Sequence, residues 1–455
     1  MTIQTINPAT GALIKSYDEM SSTEVNQIVD DVHAAHREWR KSDFAERKAQ
    51  MLKMKALLEQ RADDFANIIT TEMGKPTTQA KGEVAKCIDL CQHYADNAEK
   101  YLAPREIKTE YSKSYVCYEA LGVVFAIMPW NYPLWQVLRF VVPTLMNGNG
   151  GILSHAPIST GCAFMIEELV RDAGYIDNIF RTVVVSNDVA AEVVRNDKVT
   201  GVTLTGSERA GRAVASEAGK ALKHVVMELG GSDPYLILAD ADIEHAAEMC
   251  VKSRLNNAGQ ICISAKRLIV VEEVREEFER LVIEKSKAFV PGDPTDPACT
   301  MGPMARDDLR HELHKQVQDS IAQGARLVTG GELTDGPGFY YPVTILADVG
   351  PGMVAFDKEL FGPVISFLPV KDEAEAIRVA NDSPFGLGGA VFTQDVKRGE
   401  HIARYELEAG TCVVNSLVSS NANLPFGGIG LSGYGRELSE EGIREFVNAK
   451  TICVK

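Results

Sequence analysis

The chain has 455 residues, 45% of them hydrophobic and 24% charged, a globular composition long enough for more than one core. Its 63 acidic residues outnumber 47 basic ones, and a net charge of -16 disfavours broad contact with a phosphate backbone, so no nucleic-acid partner is expected. No apolar run approaches the ~18 residues of a membrane span, and residues 1–15 lack a basic segment leading into an apolar one, so neither membrane nor signal peptide is expected. Nine scattered cysteines fit reduced thiols in cytoplasm, and Cys87 and Cys91, one helical turn apart, lack the further ligands of a metal site.

In chain order, Ser21-Ser22-Thr23-Glu24 has the form of a capping box, with Val25, Ile28, Val29 and Val32 following at helical spacing. A second helical stretch is predicted over 46–71. Residues 108–119 alternate around Tyr111, Tyr115 and Tyr118 and predict an extended hairpin. Strands are then predicted over 123–128, 179–185, 202–205 and 235–238, with a helix over 207–219. A second alternation follows in 268–271, 364–370, 390–393 and 411–415, and 451–455 reads as a short terminal strand. Strands alternating with helices over short connections argue for parallel, helix-covered sheets, hence two α/β halves. The hairpin and the tail belong to neither half, and suggest edge pairing or a subunit contact.

Three segments could carry chemistry. Cys262 ends Asn256-Asn257-Ala258-Gly259-Gln260-Ile261-Cys262, a loop rich in amides and glycine whose backbone can approach a reacting atom. The alternative is a small buried hydrophobe. Glu228 stands between Met227 and Leu229 before a glycine pair; apolar neighbours raise a carboxyl pKa and suit it to act as a base, whereas a solvated helix-end glutamate is the plainer reading. Asn131, in Pro129-Trp130-Asn131-Tyr132-Pro133, ends the 123–128 strand with an amide that could donate to an oxyanion.

Together these segments resemble the aldehyde dehydrogenase superfamily from Asn7-Pro8-Ala9-Thr10-Gly11 to Phe446. The shared motifs include 129–134, Leu204-Thr205-Gly206-Ser207, 228–231, Gly259-Gln260-Ile261-Cys262, Glu359-Leu360-Phe361-Gly362-Pro363 and Pro425-Phe426-Gly427-Gly428. The resemblance implies two Rossmann-like α/β domains: a cofactor domain over 1–101 and 121–228, and a catalytic domain over 229–430. A small β oligomerisation arm and tail, 102–120 and 431–455, would make a homodimer or homotetramer. It also implies Cys262 as nucleophile, an oxyanion site from the Asn131 amide and the Cys262 N–H, and Glu228 as the base that activates water. Glu359 would hold the nicotinamide ribose of NAD or NADP. Trp130, Gly206, Ser207, Gly211, Leu229 and Phe361 would complete the cofactor site, with the pyrophosphate at the start of the 207–219 helix.

Two departures qualify the resemblance. Twenty-three residues after Asn131, where relatives usually carry a ribose-contacting Lys, stands Ser154, and three further on Pro157 replaces an acid that repels the NADP phosphate. Dual cofactor use is therefore expected, with His155 a solvent-facing residue or a partial substitute. Eight residues after Asn131 is Arg139, the position from which succinate-semialdehyde dehydrogenases hold the distal carboxylate of their substrate; an interior ion pair is the alternative. A second Arg of that subfamily is Asn256 here. Trp135, Ile261, Ile263, Ser419, Ser420 and Phe426 would line the substrate mouth. Succinate semialdehyde is thus the expected substrate. Glutarate semialdehyde, another aliphatic aldehyde, or a non-catalytic nucleotide-binding homologue are the alternatives.

Overall fold

The computed structural model describes residues 2–455; Met1, at the head of the start read above, lies outside them. Two largely parallel sheets divide the chain. The first runs in the spatial order Gly433–Tyr434, His224–Glu228, Val199–Thr205, Val123–Met128, Gly150–His155, Phe180–Thr182. Only its Gly433–Tyr434 edge is antiparallel. Val123–Met128 and Val199–Thr205 lie inside it and are buried almost throughout, which is why they read as apolar runs rather than alternating strands. From Val123–Met128 the chain builds two strands to one side, then returns to build two on the other. That reversal opens a crevice at the carboxyl ends of Val123–Met128 and Val199–Thr205, where 129–131 and 206–207 lie.

The second sheet runs Arg326–Thr329, Thr344–Ala347, Val364–Val370, Ala265–Val271, Asp233–Ile237, Gly388–Phe392, Thr411–Val414, antiparallel only at its first strand. Glu228 ends the first sheet and Asp233 starts the second, so Gly230 and Gly231 form the step between them. Helix Trp135–Met146, buried at every residue, packs under the first sheet against helix Thr77–Tyr101. The stripe Ala80, Val84, Cys87, Leu90, Cys91 and Tyr94 recurs at three- and four-residue spacing and forms the buried face of that second helix.

Several expectations shift. The capping box is present, with Ser21 Oγ accepting from the Glu24 N–H and Glu24 returning to the Ser21 N–H. The 46–71 stretch is two helices, Phe44–Gln60 and Ala62–Met73, because Arg61 (φ -104, ψ 20) leaves helical geometry between them. The 179–185 strand shortens to Phe180–Thr182, since Ser186 already caps the next helix. The expected hairpin is present but shifted and uneven: a short arm, Arg105–Glu106, turns back antiparallel onto the long strand Lys113–Ala120, whose other edge pairs with Val447–Val454. The terminal strand is longer than expected, pairing over eight residues rather than five, because its mostly exposed residues carry no alternating apolar pattern to mark its start.

Candidate active site

The loop carrying Cys262 is held in an unusual backbone. Asn257 (φ 52) and Ala258 (φ 51) are left-handed, followed by Gly259 (φ 72); for the alanine this costs of order 1–2 kcal/mol. What pays for it is Arg254. Its buried guanidinium donates to the carbonyls of Val364, Leu360 and Gly259 and to the Ser264 hydroxyl, so the chain on both sides of Cys262 hangs from one cation. Gln260 adds a second tie, accepting from the Ala305 N–H at 2.9 Å and donating to the Asn257 carbonyl. The Cys262 carbonyl itself accepts from Lys266 Nζ. Burial pushes the thiol up to about 11, opposed by the charges of Lys266 and Arg139.

Asn131 reaches this loop from the first sheet. Its amide donates to the Gln260 carbonyl at 2.9 Å, and its own carbonyl accepts from Asn257 at 3.0 Å. The segment is braced from behind by a buried ion pair between Lys75 and Glu83. Glu83 accepts from the Leu134 and Trp135 N–H groups, both at 2.9 Å, and so caps helix Trp135–Met146. Lys75 lies 3.6 Å from the centroid of the Tyr132 ring. His155 donates to the Pro133 carbonyl through Nε2, at 2.9 Å, while its Nδ1 accepts from the Ala156 N–H. Burial holds its pKa down to about 4. This corrects the solvent-facing reading: a neutral His155 ring is committed to the Asn131 segment and offers no charge to a cofactor.

One cavity, of about 360 Å³, joins the remaining pieces. Cys262, Ile261 and Ile263 line it together with Trp135, Arg139, Asn256, Ser419, Ser420 and Phe426, so every residue expected at the substrate mouth meets there. The cavity also contains Lys86, which the sequence analysis missed. Its Nζ donates to Ser420 Oγ at 2.6 Å and sits 4.2 Å from the Trp135 ring centroid. Arg139 carries features of both readings offered for it. It lines the cavity, but its Nε is paired with Glu437, both side chains being almost wholly buried, and its guanidinium stacks 4.7 Å from the Phe426 ring centroid. The interior ion pair is what the fold builds; the sequence could not show it because Glu437 is 298 positions away.

Glu228 is 2% exposed and does not line that cavity. Among the described residues neither of its carboxylate oxygens has a hydrogen-bond donor. Burial raises its pKa well above the ordinary range, and the nearby Glu437 raises it further, against Arg139 and Arg436. Gly427 (φ 153) makes room for it: a methyl there would stand 2.7 Å from Glu228 Oε1.

The crevice of the first sheet fits a dinucleotide. Ser207 caps helix Glu208–Lys220 by accepting from the Ala210 N–H, leaving the positive helix end beside the carboxyl end of Val199–Thr205. Glu208, an acid in that first turn, is turned to Arg212 at 2.7 Å. Gly211 lets the helix close on Leu229, since a methyl would meet Leu229 Cδ2 at 2.6 Å. Trp130 packs edge-on to Phe361, ring centroids 5.8 Å apart. Glu359 accepts from the Gly231 N–H at 3.2 Å and pairs with Lys266 at 2.9 Å, so Lys266 links Glu359 to the Cys262 carbonyl. Ser154 is half-buried on its strand and Pro157 exposed at the first position of a short 3-10 turn. Apart from the missed Lys86, Lys266 and Glu437, the supporting groups Arg254, Lys75 and Glu83 had no sequence signal beyond being charged residues in apolar surroundings.

Comparison with known proteins agrees with this geometry. The profile of the aldehyde dehydrogenase family matches residues 1–452. A probable NADP(+) succinate-semialdehyde dehydrogenase of Synechocystis sp. is 43% identical over 454 residues, covering 100% of both chains. An NAD(P)+ succinate semialdehyde dehydrogenase of Escherichia coli is 42% identical, covering 98% of this chain and 96% of its own. The crystal structure of succinic semialdehyde dehydrogenase from Streptococcus pyogenes with NADP+ superposes with a TM-score of 0.97 at 39% identity, covering 99% of each chain. With the Cys262 loop, the Asn131 amide and the crevice of the first sheet in one arrangement, and that family's profile matching nearly the whole chain, the chain belongs to the aldehyde dehydrogenase family.

Proposed function

We propose that this enzyme oxidises succinate semialdehyde to succinate with NAD+ or NADP+. The observation that carries the reading is the cavity in which Cys262 shares its walls with Lys86, a cation with no paired carboxylate among the described residues, so a short aldehyde at the thiol has positive charge within the same enclosure. The names of the relatives from Synechocystis, Escherichia coli and Streptococcus support the same substrate.

Cys262, as thiolate, adds to the aldehyde carbon, and the C=O electron pair moves to oxygen. The Asn131 amide and the Cys262 N–H stabilise that oxyanion; removing one such donor costs ~3 kcal/mol. A nicotinamide in the crevice would supply the two-electron acceptor needed to take the carbon bound to Cys262 to the thioester level. Glu359, tied to Lys266, would hold the nicotinamide ribose; the first turn of the 208–220 helix would take the pyrophosphate, and Trp130, Leu229 and Phe361 would enclose the rest. Ser154 gives a hydroxyl without charge and Pro157 no repulsion, which supports use of both cofactors. Glu228, kept protonatable by its burial, takes a proton from water as the oxygen attacks the thioester, and the thiolate leaves. Its carboxyl rests against Gly427 in this structure and must turn toward Cys262 to do so. The sheet formed by 105–106, 113–120 and 447–454 serves as the arm between subunits of a homodimer or homotetramer working in cytoplasm.

The test is NAD(P)H formation with succinate semialdehyde, glutarate semialdehyde and butanal, each with NAD+ and NADP+. We expect the highest kcat/KM for succinate semialdehyde with either cofactor. Preference for butanal would overturn the substrate; no turnover of any aldehyde alongside nucleotide binding would make this a non-catalytic homologue.

A further inference from the structure

We infer that Lys86 is the residue that receives the distal carboxylate of the substrate, and so sets selectivity for short ω-carboxylated aldehydes. The inference rests on the semialdehyde reading above and deepens it.

Four cationic side chains line the cavity: Lys75, Lys86, Arg139 and Lys252. Two are already neutralised, Lys75 by Glu83 and Arg139 by Glu437, in buried pairs. Lys252 is exposed, where water and salt weaken any charge it offers. Lys86 differs from all three. It projects from helix Thr77–Tyr101, is half-buried, and has no carboxylate within ion-pair distance among the described residues. Glu83, three residues earlier on the same helix, is spent on Lys75 and on the Leu134 and Trp135 N–H groups.

An ammonium stripped of part of its water and given no counter-charge is costly unless something compensates. Here the compensation is partial: a hydroxyl oxygen at 2.6 Å and an indole face at 4.2 Å. Two of the three ammonium protons remain for an anion. Ser420 uses its oxygen to accept from Lys86, so its hydroxyl proton is free to donate to the same carboxylate. Trp135 fixes the ammonium from below while its ring walls the cavity. A carboxylate arriving here gains a charge-assisted hydrogen bond and supplies the missing counter-charge. An uncharged chain end gains neither.

The experiment compares Lys86→Met and Lys86→Arg with wild type, using succinate semialdehyde and butanal with the same cofactor. Lys86→Met keeps the length of the side chain and removes its charge. It should lower kcat/KM for succinate semialdehyde roughly tenfold to a hundredfold, mainly through KM, with a change of no more than about threefold for butanal. Lys86→Arg should recover much of the loss. Lys252→Met serves as the rim comparison and should cost little with either substrate. Equal losses on both substrates would make Lys86 a packing residue and overturn the inference. Undiminished succinate semialdehyde turnover in Lys86→Met would overturn it too, with the carboxylate held elsewhere. If wild type shows no preference for succinate semialdehyde over butanal, the substrate reading fails first, at a step separate from the variants, and takes this inference with it.

Discussion

Arg139→Ala separates two roles that a sequence position alone cannot distinguish. If the guanidinium were held in reserve for substrate, its removal would harm only carboxylated aldehydes. The structure has it buried at 3% exposure and paired with Glu437, which is itself near Glu228. Truncation would therefore leave two buried carboxyls facing each other without their shared cation. Breaking a buried pair from one side costs ~3–5 kcal/mol, and loss of stacking on Phe426 adds to it. Arg139 also pulls down the pKa of Glu228, so its loss should push that carboxyl further up and leave less of it ionised to take a proton, for both substrates alike. The expected result is a stability loss of about 3 kcal/mol in urea or thermal unfolding and similar fractional losses of kcat with succinate semialdehyde and butanal. Arg139→Met combined with Glu437→Leu should be milder than Arg139→Ala, since no buried charge is stranded. Normal stability together with a loss confined to succinate semialdehyde would refute this reasoning and return Arg139 to the substrate.

Glu228→Gln should still give a burst of reduced cofactor while the steady rate collapses, because only thioester hydrolysis needs the base; parallel loss of burst and steady rate would assign it an earlier role. Ser154→Lys should lower KM for NADP+ more than for NAD+, as the new ammonium meets no acid at Pro157, and unchanged values for both would mean that Ser154 does not face the ribose. The pH dependence follows from two opposite shifts. Burial raises Cys262 to about 11, so kcat/KM for butanal should climb with pH as thiolate forms. Burial and the nearby Arg139 lower Lys86 to about 8, with Cys87, Glu83 and Cys262 opposing, so its charge is present below pH 8 and lost above it. The ratio of kcat/KM for succinate semialdehyde over butanal, in which the thiol cancels, should therefore fall as pH rises through 8; a ratio that stays level from pH 6 to 10 would contradict it.

Local chemistry made much of this protein legible in its sequence. The apolar runs 123–128 and 364–370 read as buried strands, the Ser21 box as the start of a helix, and the Cys262, Asn131, Glu359 and Gly-rich segments are contiguous motifs legible from neighbours within a few residues. Even the members of the substrate mouth came out together, because each sits close in sequence to one of those motifs. What only the tertiary structure decided is the partnership of charges. Whether Arg139 is free depends on Glu437, whether Glu83 is free depends on Lys75 and a helix end, and whether His155 sees solvent depends on the Pro133 carbonyl. Lys86 is the same case reversed: its sequence neighbours suggest a surface lysine beside an apolar stripe, and only the distant Ser420 and Trp135 show it turned into the cavity. The physical reason is range. Backbone preference and hydrophobic periodicity are written in residues a turn or a pleat apart, whereas the state of a buried charge is fixed by desolvation and by whichever counter-charge the fold brings within a few ångströms.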